Sequence, residues 1–135
     1  MGLLQEGRWV DRWYNDKESE GQFVRTSPQF RNWITSDGSA GLSGDAGFKA
    51  EADRYHLYVS LACPWAHRTL IFRELKGLQN IIPISVVHWH MAENGWTFEH
   101  GEGVVQDTVY GVENLHQLYT TAKPDYSGRV TVPVL

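Results

Sequence analysis

The stretch Ser60-Leu61-Ala62-Cys63-Pro64-Trp65-Ala66-His67-Arg68 decides how this chain is read. Just before it, Tyr55-His56-Leu57-Tyr58-Val59-Ser60 is aromatic and β-branched, the composition of a strand. Just after it, Ala66 to Gly77 carries Ile71 and Leu75, with Leu78 beyond, at helical spacing. Cations fall in the later turns of that segment, and Gly77 stands where a capping glycine belongs. Proline is favoured at the first helical position, because its missing N–H would have had no partner there. Cys63-Pro64 therefore marks a helix start, with the cysteine at its tip. Ile81 to His88 (IIPISVVH) is a short apolar run typical of a buried parallel strand. The order strand, helix, strand predicts a right-handed βαβ unit.

Outward from this unit the pattern is less regular. His90 to Gly111 is polar and rich in glycine and reads as loop. Val112 to Ala122 suits a second helix, Lys123 to Gly128 a turn, and Arg129 to Leu135 (RVTVPVL) a strand. Pro133 within that strand cannot donate a ladder hydrogen bond, so it belongs at an edge, a bulge or a cis peptide. Toward the N-terminus, Trp9, Trp13, Tyr14, Phe23, Phe30 and Trp33 are scattered among turn-forming residues, and Asp37 to Gly47 (DGSAGLSGDAG) has neither helical nor strand period. The expectation is an extended arm over residues 1–50, flexible in part and pinned by its rings to a domain over residues 51–135.

Bulk properties narrow the function. With 135 residues, 41% of them hydrophobic, the chain can bury one core. Twelve basic and sixteen acidic residues are interspersed without blocks, which argues against nucleic acid or an anionic membrane surface as partner. No segment approaches the roughly 20 apolar residues of a membrane span. The first residues lack a basic-then-apolar leader, so the reading is cytoplasmic. The one cysteine leaves no internal disulfide and no thiolate-rich zinc site. His88, His90 and His100 lack an accompanying carboxylate or thiol signature, and no metal is expected.

At a helix tip, unpaired N–H groups and the helix dipole favour a thiolate over a thiol. The bland alternative for Cys63 is a buried, inert side chain. The Cys-Pro pair between strand and helix favours the nucleophile, with Pro64 and Trp65 as its immediate support. Ala66 stands where a dithiol redox site would carry a second cysteine. A mixed disulfide at Cys63 must then be resolved by a thiol from solution, which points to glutathione. Val132-Pro133 adds to this: with the proline in cis, the preceding backbone groups can pair, strand-like, with the cysteinyl backbone of a bound tripeptide. Ser60, from the same loop, is the weaker candidate for activating glutathione. His67 reads as a surface or packing residue, and Arg68 and Arg73 as serving solvent or the helix end.

These residues resemble a thioredoxin-like domain of the cysteine-type glutathione transferases, and more closely the glutathionyl-hydroquinone reductases, the Xi-class transferases. The resemblance rests on Cys63-Pro64-Trp65-Ala66-His67-Arg68, Glu93-Asn94-Gly95-Trp96-Thr97-Phe98, Tyr126 to Leu135 (YSGRVTVPVL) and Phe30-Arg31-Asn32-Trp33, and extends over essentially the whole chain. It implies an α/β thioredoxin-like fold: a βαβ unit, a further helix and a cis-proline strand, incomplete at the C-terminus, behind a long irregular N-terminal arm. It also implies removal of glutathione from glutathionyl-hydroquinones through a Cys63–glutathione mixed disulfide. Glutathione is then the co-substrate and no metal takes part. Carried over by position, Trp96 covers the glutathione, and Arg129, Val130, Thr131, Val132 and Pro133 line it, with Val132 pairing to its backbone. In the family this strand is followed by a Ser/Glu pair for the γ-glutamyl end and by an all-helical domain with tyrosines at the hydroquinone site. The sequence ends at Leu135, ahead of both, so the expectation is an N-terminal portion of a homodimeric enzyme, weak in glutathione binding and turnover by itself. Two other readings stay open: an omega-like thiol transferase or dehydroascorbate reductase, and an inactive glutathione-binding fragment.

Overall fold

The computed structural model describes residues 2–12 and 27–135. Trp13, Tyr14 and Phe23 lie outside the described residues. In chain order the elements are β1 (Leu3–Gln5), β2 (Arg8–Val10), β3 (Trp33–Thr35), β4 (Gly47–Lys49), β5 (Leu57–Val59), α1 (Pro64–Leu75), β6 (Ile84–Val86), α2 (His116–Ala122) and β7 (Gly128–Arg129). A 3-10 turn at Gly41–Ser43 separates β3 from β4.

The strand-helix-strand unit is present. β5 and β6 run parallel, with Leu57, Tyr58 and Val59 opposite Ile84, Ser85 and Val86. All three residues of β5 are buried, so the strand is covered on both faces, as parallel strands are. Antiparallel bridges widen the pair on either side, Tyr58 with Val134 and Val86 with Val105. The β-structure thus reads Val134, β5, β6, Val105 across, and the segment after Pro133 lies beside the strand that leads to Cys63.

α1 begins at Pro64 and closes as expected at Gly77, which adopts φ +64. Leu78 N–H donates to Arg73 C=O and Gly77 N–H to Glu74 C=O, both at 3.0 Å. This double closure needs a left-handed residue, which glycine supplies without steric cost. The inward face differs from the apolar pattern in the sequence. Ile71 is 46% and Leu75 75% exposed, while Ala66 is fully buried and Leu70 packs on the core. Residues 66, 70 and 73 share one helical face. Arg73 on it donates to Ile82 C=O (2.7 Å) and Gln79 C=O (2.9 Å), so it closes the helix end onto the loop before β6.

Two other elements are shorter than the sequence pattern predicts, and for a common reason. α2 starts at His116 rather than near Val112 because the residues before it are already paired elsewhere. Phe98 N–H donates to Glu113 C=O (2.8 Å), Leu115 N–H to Trp96 C=O (2.9 Å), and Gln117 Oε1 accepts from the N–H groups of Glu113 and Asn114. β7 ends at Arg129 instead of running to Leu135 because the backbone of Thr131 is engaged by the Tyr119 side chain and Pro133 has no N–H.

The arm contributes ordered structure. β1 pairs antiparallel with both β2 and β7, and Leu4 at its centre is buried at 1% exposure in the same core as Val59, Val87 and Leu115. Burying a side chain of this size contributes about 1.5–3 kcal/mol. Within Asp37 to Gly47, read as flexible, Asp37 Oδ1 accepts from Ser39 N–H (3.0 Å) and the Thr35 hydroxyl (3.2 Å), and β3 and β4 pair in parallel around it. Side-chain caps of this kind leave no hydrophobic period to detect.

Candidate active site

Cys63 is placed by a tight turn and a helix start. Its N–H donates to Ser60 C=O (3.1 Å) and its own C=O accepts the His67 N–H (3.0 Å), the first turn of α1. The residue itself is extended (φ −101°, ψ 115°) and occupies the N-cap, with Pro64 next. Its sulfur makes no capping bond; it is a free, half-buried thiol with Sγ 3.6 Å from Val132 C=O. Ser60 is fully buried, and its Oγ accepts the Ala62 N–H (3.3 Å), a local bond that shapes the loop beneath the sulfur. Trp65 is 55% exposed, with the Arg68 guanidinium 4.9 Å over its ring.

The Val132-Pro133 peptide is cis. Tyr58 N–H donates to Val134 C=O (2.7 Å) and Val134 N–H to Tyr58 C=O (3.0 Å), which ties the proline segment to β5. Val130 and Val132 are buried, at 6% and 5% exposure, and belong to the core. Among the described residues, the Val132 N–H donates to no protein acceptor. Thr131 is exposed, and both of its backbone polar groups meet the Tyr119 hydroxyl. Arg129 is half-buried in β7 opposite Leu3, and its C=O accepts the Tyr126 hydroxyl (3.1 Å).

Trp96 is half-buried at the end of the loop Ala92 to Thr97. Gly95 precedes it at φ +71, and a Cβ there would stand 2.7 Å from the ring of Trp9. Trp9 comes from β2 of the arm. Its Nε1 donates to Glu93 C=O (2.8 Å) and its ring stacks on His116 at 4.8 Å, so the arm braces the loop that bears Trp96. Burial holds the His116 imidazole below its ordinary range. Cys63, Val132 and Pro133 are thus brought together, whereas Trp96 makes no hydrogen bond to any of them.

Behind β5, Asp107 is buried at 6% exposure and accepts four hydrogen bonds, from the Tyr58 hydroxyl and the N–H groups of Val109, Tyr110 and Val112. The His56 imidazole, which burial lowers with Asp107 partly opposing, shares a hydrogen bond with Ser85 Oγ at 2.8 Å. A cleft of about 420 Å³ opens between Phe98, Glu99, Gln106 and Glu113, and neither Cys63 nor Val132 lines it. Among the described residues no three His, Cys, Asp or Glu side chains are grouped as metal ligands, and His88 Nδ1 instead accepts the His90 N–H (3.1 Å). No helix among them is long and apolar enough to cross a membrane. Tyr119 carries no motif in the sequence; only its position under Thr131 draws attention to it.

A βαβ unit with a cysteine at the helix tip and a cis-proline segment beside it is a thioredoxin-like arrangement. The family model for the glutathione S-transferase N-terminal domain matches residues 62–135, and the chain belongs to that family. Glutathionyl-hydroquinone reductase YqjG of Escherichia coli is 60% identical over 136 residues, a match spanning 100% of this chain and 42% of that protein. Its glutathione-bound structure superposes with a TM-score of 0.79 at 54% identity, covering 98% of this chain and 38% of that one. A Xi-class transferase from Natrialba magadii superposes at 0.80 with 44% identity, covering 99% and 38%. The chain therefore spans about two fifths of the length of the curated relatives it matches.

Proposed function

We propose that this chain supplies the glutathione site of a glutathionyl-hydroquinone reductase that works through one thiol. The observation that carries the reading is the placement of Cys63 Sγ at the head of α1, 3.6 Å from the Val132 carbonyl, in a chain with no second cysteine. In the first half-reaction the Cys63 thiolate attacks the sulfur of glutathionyl-hydroquinone. An S–S bond forms, the carbon–sulfur bond breaks, and the ring carbon takes a proton to leave as hydroquinone. In the second, a glutathione thiolate attacks the mixed disulfide, releasing glutathione disulfide and restoring Cys63. The two electrons that reduce the ring carbon come from two sulfurs, that of the thioether and that of the incoming glutathione thiol, which end joined as glutathione disulfide.

Each site residue has a role that its chemistry suits. Val132 offers backbone N–H and C=O to the cysteinyl unit of the tripeptide, as an added strand would. Pro133 keeps that segment clear of ladder pairing, and Val130 and Thr131 continue the same backbone edge. Arg129 pairs with a carboxylate, and Trp96 lays an apolar face over the bound peptide. Pro64 starts the helix, and Trp65 flanks the sulfur. Residues 51–135 are read as the thioredoxin-like unit, and the described part of residues 1–50 as an arm docked on it. Because the cycle consumes reduced glutathione, it suits the reducing cytoplasm, and the full-length enzyme is read as a homodimer.

The test is covalent. Incubation of the chain with glutathione disulfide is expected to add one glutathionyl group, mapped to Cys63 by peptide mass spectrometry and reversed by excess glutathione. Cys63→Ser takes up none. An unmodified wild-type chain would remove the basis of the proposal.

A further inference from the structure

Tyr119 lies on α2, buried at 7% exposure, far along the chain from Cys63. Its hydroxyl donates to Thr131 C=O at 2.9 Å and accepts the Thr131 N–H at 3.2 Å. One phenol oxygen thus takes both backbone groups of a residue, as a neighbouring strand would, in the segment where β7 has ended. We propose that Tyr119 is a positioning residue for the glutathione site, orienting the Thr131–Val132 peptide so that Val132 presents its N–H to the ligand.

The C=O of Thr131 and the N–H of Val132 belong to one rigid trans unit and point in opposite directions. Holding Thr131 C=O inward on the Tyr119 hydroxyl turns the Val132 N–H away from α2, and among the described residues that N–H has no protein acceptor. The next carbonyl, that of Val132, reaches Cys63 Sγ. The phenol itself has little freedom: its ring meets Phe30 of the arm at 5.6 Å and Tyr126 at 5.1 Å, and Tyr126 in turn holds Arg129 C=O. A hydroxyl anchored in this way fixes the direction of a backbone group it never touches.

This inference rests on the glutathione reading, and the experiment separates the two. Tyr119→Phe deletes one oxygen and leaves the ring packing. The rate of Cys63 glutathionylation is followed against glutathione disulfide concentration, beside alkylation by iodoacetamide, a small reagent with no need of Val132. For Y119F the half-saturating disulfide concentration is expected to rise about ten-fold, the worth of a neutral hydrogen-bond pair. The limiting rate and the alkylation rate should stay within about two-fold, a margin well below that effect. A wild-type chain that takes up no glutathione defeats the functional reading. A responsive wild type with an unchanged Y119F half-saturation defeats this one, as does an equal loss in both reactions. Amide exchange on the wild-type chain needs no variant: Thr131 N–H should be protected with or without glutathione, and Val132 N–H only with it. Fast exchange at Thr131 in the free chain would overturn the assignment.

Discussion

Replacing Asp107 by asparagine tests how β5 is tied to the loop behind it. Asp107 Oδ1 accepts from the Tyr58 hydroxyl (2.9 Å) and Val109 N–H (3.0 Å), and Oδ2 from Tyr110 N–H (3.2 Å) and Val112 N–H (3.1 Å). Asparagine keeps one oxygen and turns an amide NH2 toward the other pair of donors, so two bonds are lost and donors face donors. A hydrogen bond to a charged acceptor contributes about 1.5–3 kcal/mol. Two such losses, taken at the lower end because the exposed loop can relax toward water, come to about 3 kcal/mol, or roughly 10 °C in Tm for a chain of this size. Tyr58→Phe removes only one of the four bonds, so about half that cost is expected. The pH dependence has a definite sign. Burial pushes the Asp107 carboxyl up, but the hydrogen bonds from Val109, Val112, Tyr58 and Tyr110 together outweigh it and hold the group below its ordinary 3.8. The native state therefore gains stability from ionised Asp107 at all pH above the unfolded value, and loses it as pH falls through the lower folded value. Burial and then Asp107 push the Tyr58 phenol far above its ordinary 10.0, so it remains a donor throughout. Urea unfolding of wild type and D107N, followed by circular dichroism at pH 7 and again below pH 4, checks the account. A difference under about 0.5 kcal/mol at pH 7, the scatter expected of an uninvolved surface site, would refute the reasoning. So would a gap that fails to narrow in acid.

Two further outcomes are expected. Leu4→Ala, in β1 of the arm, should cost about 2–5 kcal/mol in urea unfolding, as for other large-to-small changes at sealed core sites; a loss under about 1 kcal/mol would mean that the arm is not part of the cooperative core. Burial lowers the imidazoles of both His56 and His116, with Asp107 partly opposing it at His56, so both remain neutral in the fold below their ordinary 6.5. Their contribution is complete above pH 6.5 and declines as pH falls toward the folded values. Thermal midpoints measured from pH 7.5 to 5.5 should therefore drop, and should drop less in His116→Gln; a flat profile in the wild type would contradict this.

The strand, the helix tip at Cys63 and the second strand were legible because their causes are local. Pro64 can start a helix but not continue one, Gly77 can end it left-handed, and β5 and β6 are built mostly from aliphatic and aromatic side chains. Legibility failed where a segment's backbone groups are claimed by partners outside its own regular ladder. The start of α2 depends on Trp96 and Gln117, and the end of β7 on Tyr119, none of which alters hydrophobic period. The inward face of α1 was misplaced for a related reason: Arg73, charged and bonded to Ile82 and Gln79 carbonyls, takes a core-side position that an apolar pattern assigns to Ile71 or Leu75.

The candidate site divides along the same line. Residue order alone determined that a cysteine would cap a helix without a resolving partner, and that a Val-Pro pair would interrupt a strand, because both follow from the covalent properties of proline and the count of thiols. Only the tertiary structure decided that the Val132 carbonyl meets the sulfur, that Trp9 of the arm buttresses the loop of Trp96, and that the Tyr119 hydroxyl takes both backbone groups of Thr131. Those contacts join residues 12, 69 and 84 positions apart, and their geometry is set by how the pieces pack, a property no single segment carries.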